Sequence, residues 1–185
     1  METRNLNAEF SVEENIVVGY ALRFNQPSKD LGGFIEVIES NALDGLDLSD
    51  VRALLNHNWE QVLGYTKSDT LLLEIDEIGL RYIIEMPNTS FANDLVESLK
   101  RGDVSGSSFA FSVAENGDTW KLDKESGMYL RTINKIESIS EVSVVSNPAY
   151  ESANAGLALR SLEKVKAEEL RKLEQEQIFI ELELI

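Results

Sequence analysis

Two adjacent hydroxyls, Ser107 and Ser108, lie in the run Val104-Ser105-Gly106-Ser107-Ser108-Phe109-Ala110-Phe111. The chain's one histidine, His57, lies upstream between Asn56 and Asn58, and a carboxylate, Glu141, opens Glu141-Val142-Ser143-Val144-Val145 downstream. A hydroxyl, an imidazole and a carboxylate on three β-like segments are the groups acyl transfer employs: a nucleophile, a base, and a group that orients the base. With a single histidine, any imidazole-assisted chemistry must run through His57.

Strand periodicity decides which serine is available. Side chains alternate faces along a strand, so Ser105, Ser107, Phe109, Phe111 and Val113 share one face. Gly106, Ser108, Ala110 and Ser112 share the other. The phenylalanines claim their face for the core and Ser107 points with them, whereas Ser108 lies among small residues that a peptide backbone could approach. The alternative is that these are ordinary strand serines making local hydrogen bonds. His57 shares a face with Val51, Ala53 and Leu55 and caps that apolar stripe at a strand end; the alternative is a structural or surface histidine. Glu141 alternates with Ile139, Ser143 and Val145. Facing inward, its carboxylate needs a partner such as an imidazole; facing outward, it is a plain surface acid. Glu137 and Glu115 are weaker candidates, nearer turns. Asn56 and Asn58 read as turn and hydrogen-bonding residues.

The elements that must position these groups follow from apolar patterning. Ile16 to Phe24, Phe34 to Ile38 and Val51 to His57 read as strands, with Asn41 to Asp50 irregular or briefly helical. Leu71 to Asp76 and Leu80 to Met86 form a hairpin around Glu77-Ile78-Gly79. Asn88-Thr89-Ser90 starts a helix whose stripe is Phe91, Leu95 and Leu99, and Gly102 stops it. Val104 to Ala114, Thr119 to Leu122, Met128 to Ile136 and Ile139 to Ser146 return to β, with Asn116-Gly117 as a hairpin turn. Pro148 ends the β region. Ser161 caps a charged helix from Leu162 to about Gln177 with a thin stripe of Leu162, Val165, Leu170 and Leu173, followed by an apolar tail. The fold class is α+β, with a domain over residues 1–160 and a helical C-terminal extension over 161–185.

Bulk properties narrow the chemistry. Apolar residues make up 43% and charged residues 27%, an ordinary globular balance. Without cysteine there is no disulfide, thiolate nucleophile or sulfur-ligated metal site. No ligand cluster suggests a metal, and the chemistry requires no cofactor. Seventeen basic residues against 33 acidic ones give a net charge of −16, which argues against nucleic acid as a partner. No apolar run approaches the ~20 residues of a membrane span, and no signal peptide is evident, so an intracellular protein without a membrane partner is expected.

Several stretches in order resemble one family: Gly19-Tyr20-Ala21 with Phe24, Phe34-Ile35-Glu36-Val37-Ile38, Leu54-Leu55-Asn56-His57-Asn58 with Val62-Leu63-Gly64, and Gly79-Leu80. The run from Gly102 to Phe111 and the run from Ile139 to Tyr150 complete the set. Over about residues 15–155 the chain resembles the prohead (head maturation) serine proteases of tailed bacteriophages, which are distantly similar to the herpesvirus assembly protease. The resemblance implies Ser108 as nucleophile, His57 as general base and Glu141 as the residue orienting the imidazole. Ser107 stands where many relatives carry an apolar residue. It further implies a mainly antiparallel β-barrel with a few surrounding helices and no metal or cofactor. The implied setting is the phage prohead in the host bacterial cytoplasm, or a prophage-encoded equivalent. The implied partners are the major capsid protein with its scaffold segment and the enzyme itself, through self-cleavage and a dimer or higher oligomer. A catalytically silent capsid-assembly module on the same fold is the rival reading.

Overall fold

Twelve strands and two α-helices form among residues 1–13, 15–146 and 156–183, which the computed structural model describes, with side chains described to residue 177. In chain order they are β1 (Glu2–Asn7), β2 (Ser11–Glu13), β3 (Ile16–Arg23), β4 (Phe34–Ile38), β5 (Arg52–Leu55), β6 (Asn58–Tyr65), β7 (Leu71–Ile75) and β8 (Gly79–Glu85). Then come α1 (Ser90–Arg101), β9 (Gly106–Val113), β10 (Asp118–Leu122), β11 (Tyr129–Ile133), β12 (Ile136–Val145) and α2 (Gly156–Glu183). The expected end of the β region at Pro148, the Asn147–Tyr150 stretch and the last two residues of the apolar tail lie outside the described residues.

The strands divide into a five-stranded sheet ordered β1-β9-β12-β5-β6, a four-stranded sheet ordered β2-β3-β8-β7 and a three-stranded sheet ordered β10-β11-β4. Among the described residues no hydrogen-bonded ladder joins one sheet to the next, so the sheets do not close into the expected barrel. Side chains bridge the sheets instead. Val17, Ala21 and Leu22 of β3, Tyr82 and Ile84 of β8, Phe109 and Phe111 of β9, and Val142 and Val144 of β12 share one buried cluster. Burying a phenylalanine or valine contributes roughly 1.5–3 kcal/mol, so packing holds these layers together without closure. Pairing is mostly antiparallel, but β12 runs parallel to β5 and β11 parallel to β4.

Helix α1 buries Ala92, Leu95 and Leu99 in the same cluster, with Phe91 only partly covered. Gly102 ends it at φ +77°, a left-handed cap that glycine adopts without a Cβ penalty. Asn116-Gly117 does not form the expected hairpin. Strand β9 pairs with β1 and β12, while β10 pairs with β11, so this turn carries the chain between sheets. The Gly117 carbonyl accepts the amides of Asn134 and Lys135, and a Cβ on Gly117 would stand 2.4 Å from the Lys135 carbonyl oxygen. Helix α2 begins at Gly156, ahead of the expected start, and Ser161 lies within it, donating its hydroxyl to the Leu157 carbonyl rather than capping. Its first turns dock: Ala158 and Leu162 pack on Phe34 and Tyr129, whereas Leu170 and Leu173 stay exposed.

A second kind of bridge is ionic. Glu2 and Arg4 of β1 meet Glu36 of β4 and Arg131 of β11 in a buried cluster. Arg4 donates to both carboxylates, Arg131 does the same, and Arg131 Nε also reaches Asp118 of β10 at 2.6 Å. Burial alone would raise the Glu2 carboxyl, but the hydrogen bonds and charges of Arg131 and Arg4 prevail and hold it below the ordinary carboxylate range. The cluster ties the N-terminal strand, and with it β9, to the three-stranded sheet.

Candidate active site

His57 is not a strand residue. Strand β5 ends at Leu55, and Asn56 and His57 form a two-residue turn, at φ +51° and +60°, that leads into β6 with Leu55 opposite Asn58. Positive φ at both central residues is the geometry of a type I′ hairpin turn, which Asn-Gly usually fills. The expected shared face with Val51, Ala53 and Leu55 is therefore lost, because the chain has already reversed. Two contacts hold this uncommon histidine backbone. The His57 amide donates to Ser143 Oγ at 3.2 Å, and the Asn56 side chain accepts the Ser146 amide at 2.9 Å.

Glu141 reaches the same place through a register break. In β12, Ile139, Val142 and Val144 all face the core, and the ladder with β9 shifts between Ile139 and Glu141. An extra residue in one strand re-aims its neighbours, so Glu141 and Ser143 face away from the core while Ile139 does not share their side. The Glu141 side chain is only 2% exposed and would be expensive to bury unpaired. Its Oε1 lies 2.7 Å from His57 Nδ1, and its Oε2 accepts the Ser143 hydroxyl at 2.5 Å. A carboxylate at Nδ1 favours the proton there, which leaves the Nε2 lone pair free to act as a base. The His57 side chain is 31% exposed.

The serines separate as their alternation requires. Ser107 points inward, 3.1 Å from the Tyr82 hydroxyl, where burial pushes the Tyr82 pKa far above its ordinary value and keeps the phenol neutral. Gly19, opposite Tyr82, makes room for that ring, since a Cβ there would stand 2.7 Å from the phenolic oxygen. Ser108 lies on the other face, directly across from Ser143. It is nonetheless fully buried, and its hydroxyl donates to the Arg4 carbonyl of β1 at 2.9 Å. Thus His57, Glu141 and Ser143 are joined by hydrogen bonds. Ser108 is placed beside Ser143, with its hydroxyl turned toward β1. Glu137 and Glu115 do not join this group: Glu137 meets Ser112 at 3.5 Å, and Glu115 stands exposed at a corner.

Among the described residues, this arrangement holds an oriented imidazole whose second nitrogen meets no partner, on a sheet whose next strand but one carries a hydroxyl. Those are the parts of a serine hydrolase. The family model for caudovirus prohead serine proteases matches residues 2–168. The chain belongs to that family. It is therefore a serine protease of phage head maturation, acting on capsid proteins within the prohead. The comparison with curated proteins found no match, and the comparison with solved structures found none. Among the described residues of the protease, no helix is long and apolar enough to cross a membrane.

Sequence reasoning missed two participants. Ser143 bonds both His57 and Glu141, but a serine in an apolar strand carries no distinguishing signal. Strand β1 was missed because its inward side chains include Glu2 and Arg4, so no apolar alternation marks it. The available signal was charge alternation, Glu2 then Arg4, which reads as a strand only once Glu36 and Arg131 are known to face it.

Proposed function

We propose that the protease hydrolyses peptide bonds with Ser108 as nucleophile, His57 as general base and Glu141 as the group that fixes the imidazole tautomer. Ser108 attacks the scissile carbonyl while His57 Nε2 takes its proton, and His57 returns that proton to the leaving amine. Water then repeats the sequence on the acyl-enzyme. The observation that supports this most is the 2.7 Å contact between His57 Nδ1 and the buried Glu141 carboxylate. The substrate in this reading is the major capsid protein with its scaffold segment, and the protease itself in a final self-cleavage.

Replacing Ser108 with Ala should lower processing of the capsid precursor by about 10⁴-fold or more. Normal processing by that variant refutes the assignment. One observation favours the rival, a catalytically silent assembly module: Ser108 is inaccessible and its hydroxyl is bonded to Arg4. Treatment with a serine-directed phosphonate separates the two. An adduct on Ser108 shows that the side chain can rotate out and react, whereas an unlabelled wild-type protein in assembled proheads supports the silent module.

A further inference from the structure

Acyl transfer through Ser108 needs a donor for the oxyanion, and we infer that the side-chain amide of Asn5 supplies it. The inference rests on the assignment of Ser108 above. Asn5 is the direct cross-strand partner of Ser108 on β1. The Ala8 amide donates to the Ser105 carbonyl at 2.8 Å, and the β1–β9 register runs without a break from there. Antiparallel pairs alternate, so Leu6–Ser107 and Arg4–Phe109 are hydrogen-bonded pairs and Asn5–Ser108 is a non-hydrogen-bonded one. Side chains stand closest in such pairs, with Cβ atoms about 4.5–5.5 Å apart and on one face.

Among the described residues the carboxamide Oδ1 of Asn5 is buried with no hydrogen-bond partner, an unfavourable state that packing alone does not require. Rotation about χ2, a soft torsion, exchanges Oδ1 for Nδ2 without breaking a bond.

The placement suits the chemistry. Across the sheet the order is Asn5 on β1, Ser108 on β9, Ser143 on β12 and Leu54 on β5, with His57 in the turn that follows β5. The base therefore stands on one flank of the nucleophile and Asn5 on the opposite flank. When the Ser108 Oγ–carbon bond forms, its proton passes to His57 Nε2 and the carbonyl electron pair moves onto oxygen. Asn5 Nδ2–H donates to that oxygen until the carbon–nitrogen bond breaks and the amine leaves with the proton from His57. A donor aligned with the charged intermediate and not with the ground state accelerates the chemical step.

The test uses the full chain and a peptide spanning a capsid-precursor cleavage site. Asn5→Ala and Asn5→Asp should each lower kcat by roughly 10²–10³-fold with KM little changed, and phosphonate labelling of Ser108 should slow in parallel. Thermal stability should hold or rise in Asn5→Ala, because a buried unpaired oxygen is removed; a merely structural asparagine would lower it. Asn7→Ala, on the same strand, should leave kcat unchanged and so report any general damage to β1. Unaltered kcat in both Asn5 variants, with Ser108→Ala inactive, overturns the role of Asn5 alone. Retained activity in Ser108→Ala overturns the reading beneath it.

Discussion

The molecule contains two buried polar networks that share charged parts and differ in closure. In the cluster of Glu2, Arg4, Glu36 and Arg131, every guanidinium is met by carboxylates, and Phe111 and Trp120 cover the cations at 5.4 Å. In the group of Glu141, Ser143 and His57, the carboxylate is satisfied by the other two, whereas among the described residues the second nitrogen of the partly exposed imidazole meets no partner. The charges of the closed network are spent on one another, and they join the sheets. The open one ends in an unsatisfied base, and an unsatisfied group beside a hydroxyl is what chemistry requires. Burial of charge alone does not mark a catalytic site; the unused valence does.

The sharpest way to break this contrast is to delete each network's centre. His57→Ala should reduce peptide cleavage by about 10⁴-fold. Its thermal midpoint should fall by less than that of Arg131→Ala, because Ser143 still bonds the buried Glu141 carboxylate, which calorimetry on the same sample checks. Arg131→Ala should act in the opposite sense. It leaves Glu2 and Glu36 facing each other across a lost cation, a change that typically costs 3–5 kcal/mol, or roughly 6–20 °C in Tm for a chain of this size. At temperatures where that variant is folded, its kcat should stay near wild type. Loss of activity in Arg131→Ala without loss of stability would show that the two networks are one device.

Ser143→Ala sharpens the open network. The hydroxyl bonds a buried carboxylate and takes the His57 amide, so its removal loosens both the acid and the turn. A hydrogen bond to a charged group is worth about 1.5–3 kcal/mol, which predicts roughly a 10–150-fold loss in kcat/KM. Ser143→Thr should recover part of it, and recovery by Thr but not by Ala or Val identifies the hydroxyl as the active feature.

The two regions also differ in how much the sequence disclosed. Phe34–Ile38 matches its expected strand, and Ile16–Arg23 and Ser90–Arg101 fall within a residue or two, because apolar side chains there alternate with the period of their element. The alternation around Ser108 was likewise legible, since Phe109 and Phe111 declare the core face. Strand β1 was not legible, because what it buries is charge and a salt-bridge partner is not a local property. Strand β6 was hidden for a different reason: Leu54 pairs with Val62 and Leu55 with Asn58, so the strand bulges and its periodicity breaks. The same physics misplaced His57 and Ile139. A reversal through two left-handed residues and a shifted ladder each alter which face a side chain occupies, and neither leaves a pattern in the residues beside it.

The closed network should also announce itself through acid. Glu2 is held below its ordinary value of 4.5 because Arg131 and Arg4 outweigh the penalty of burial. A depressed carboxyl contributes stability that is fully present above the unfolded value and is lost as pH falls through the lower folded value. Between neutrality and about pH 4.5 the contribution should therefore be constant, and below that it should fall away. Glu2→Gln removes this titration while keeping the shape of the side chain. Its stability, measured by urea unfolding across the acid range, should be lower than wild type at neutral pH, and the gap should narrow below pH 4.5. A gap that is constant with pH would mean that Glu2 contributes through packing rather than charge. The ionic bridge between β1 and the three-stranded sheet would then be a consequence of the fold rather than one of its causes.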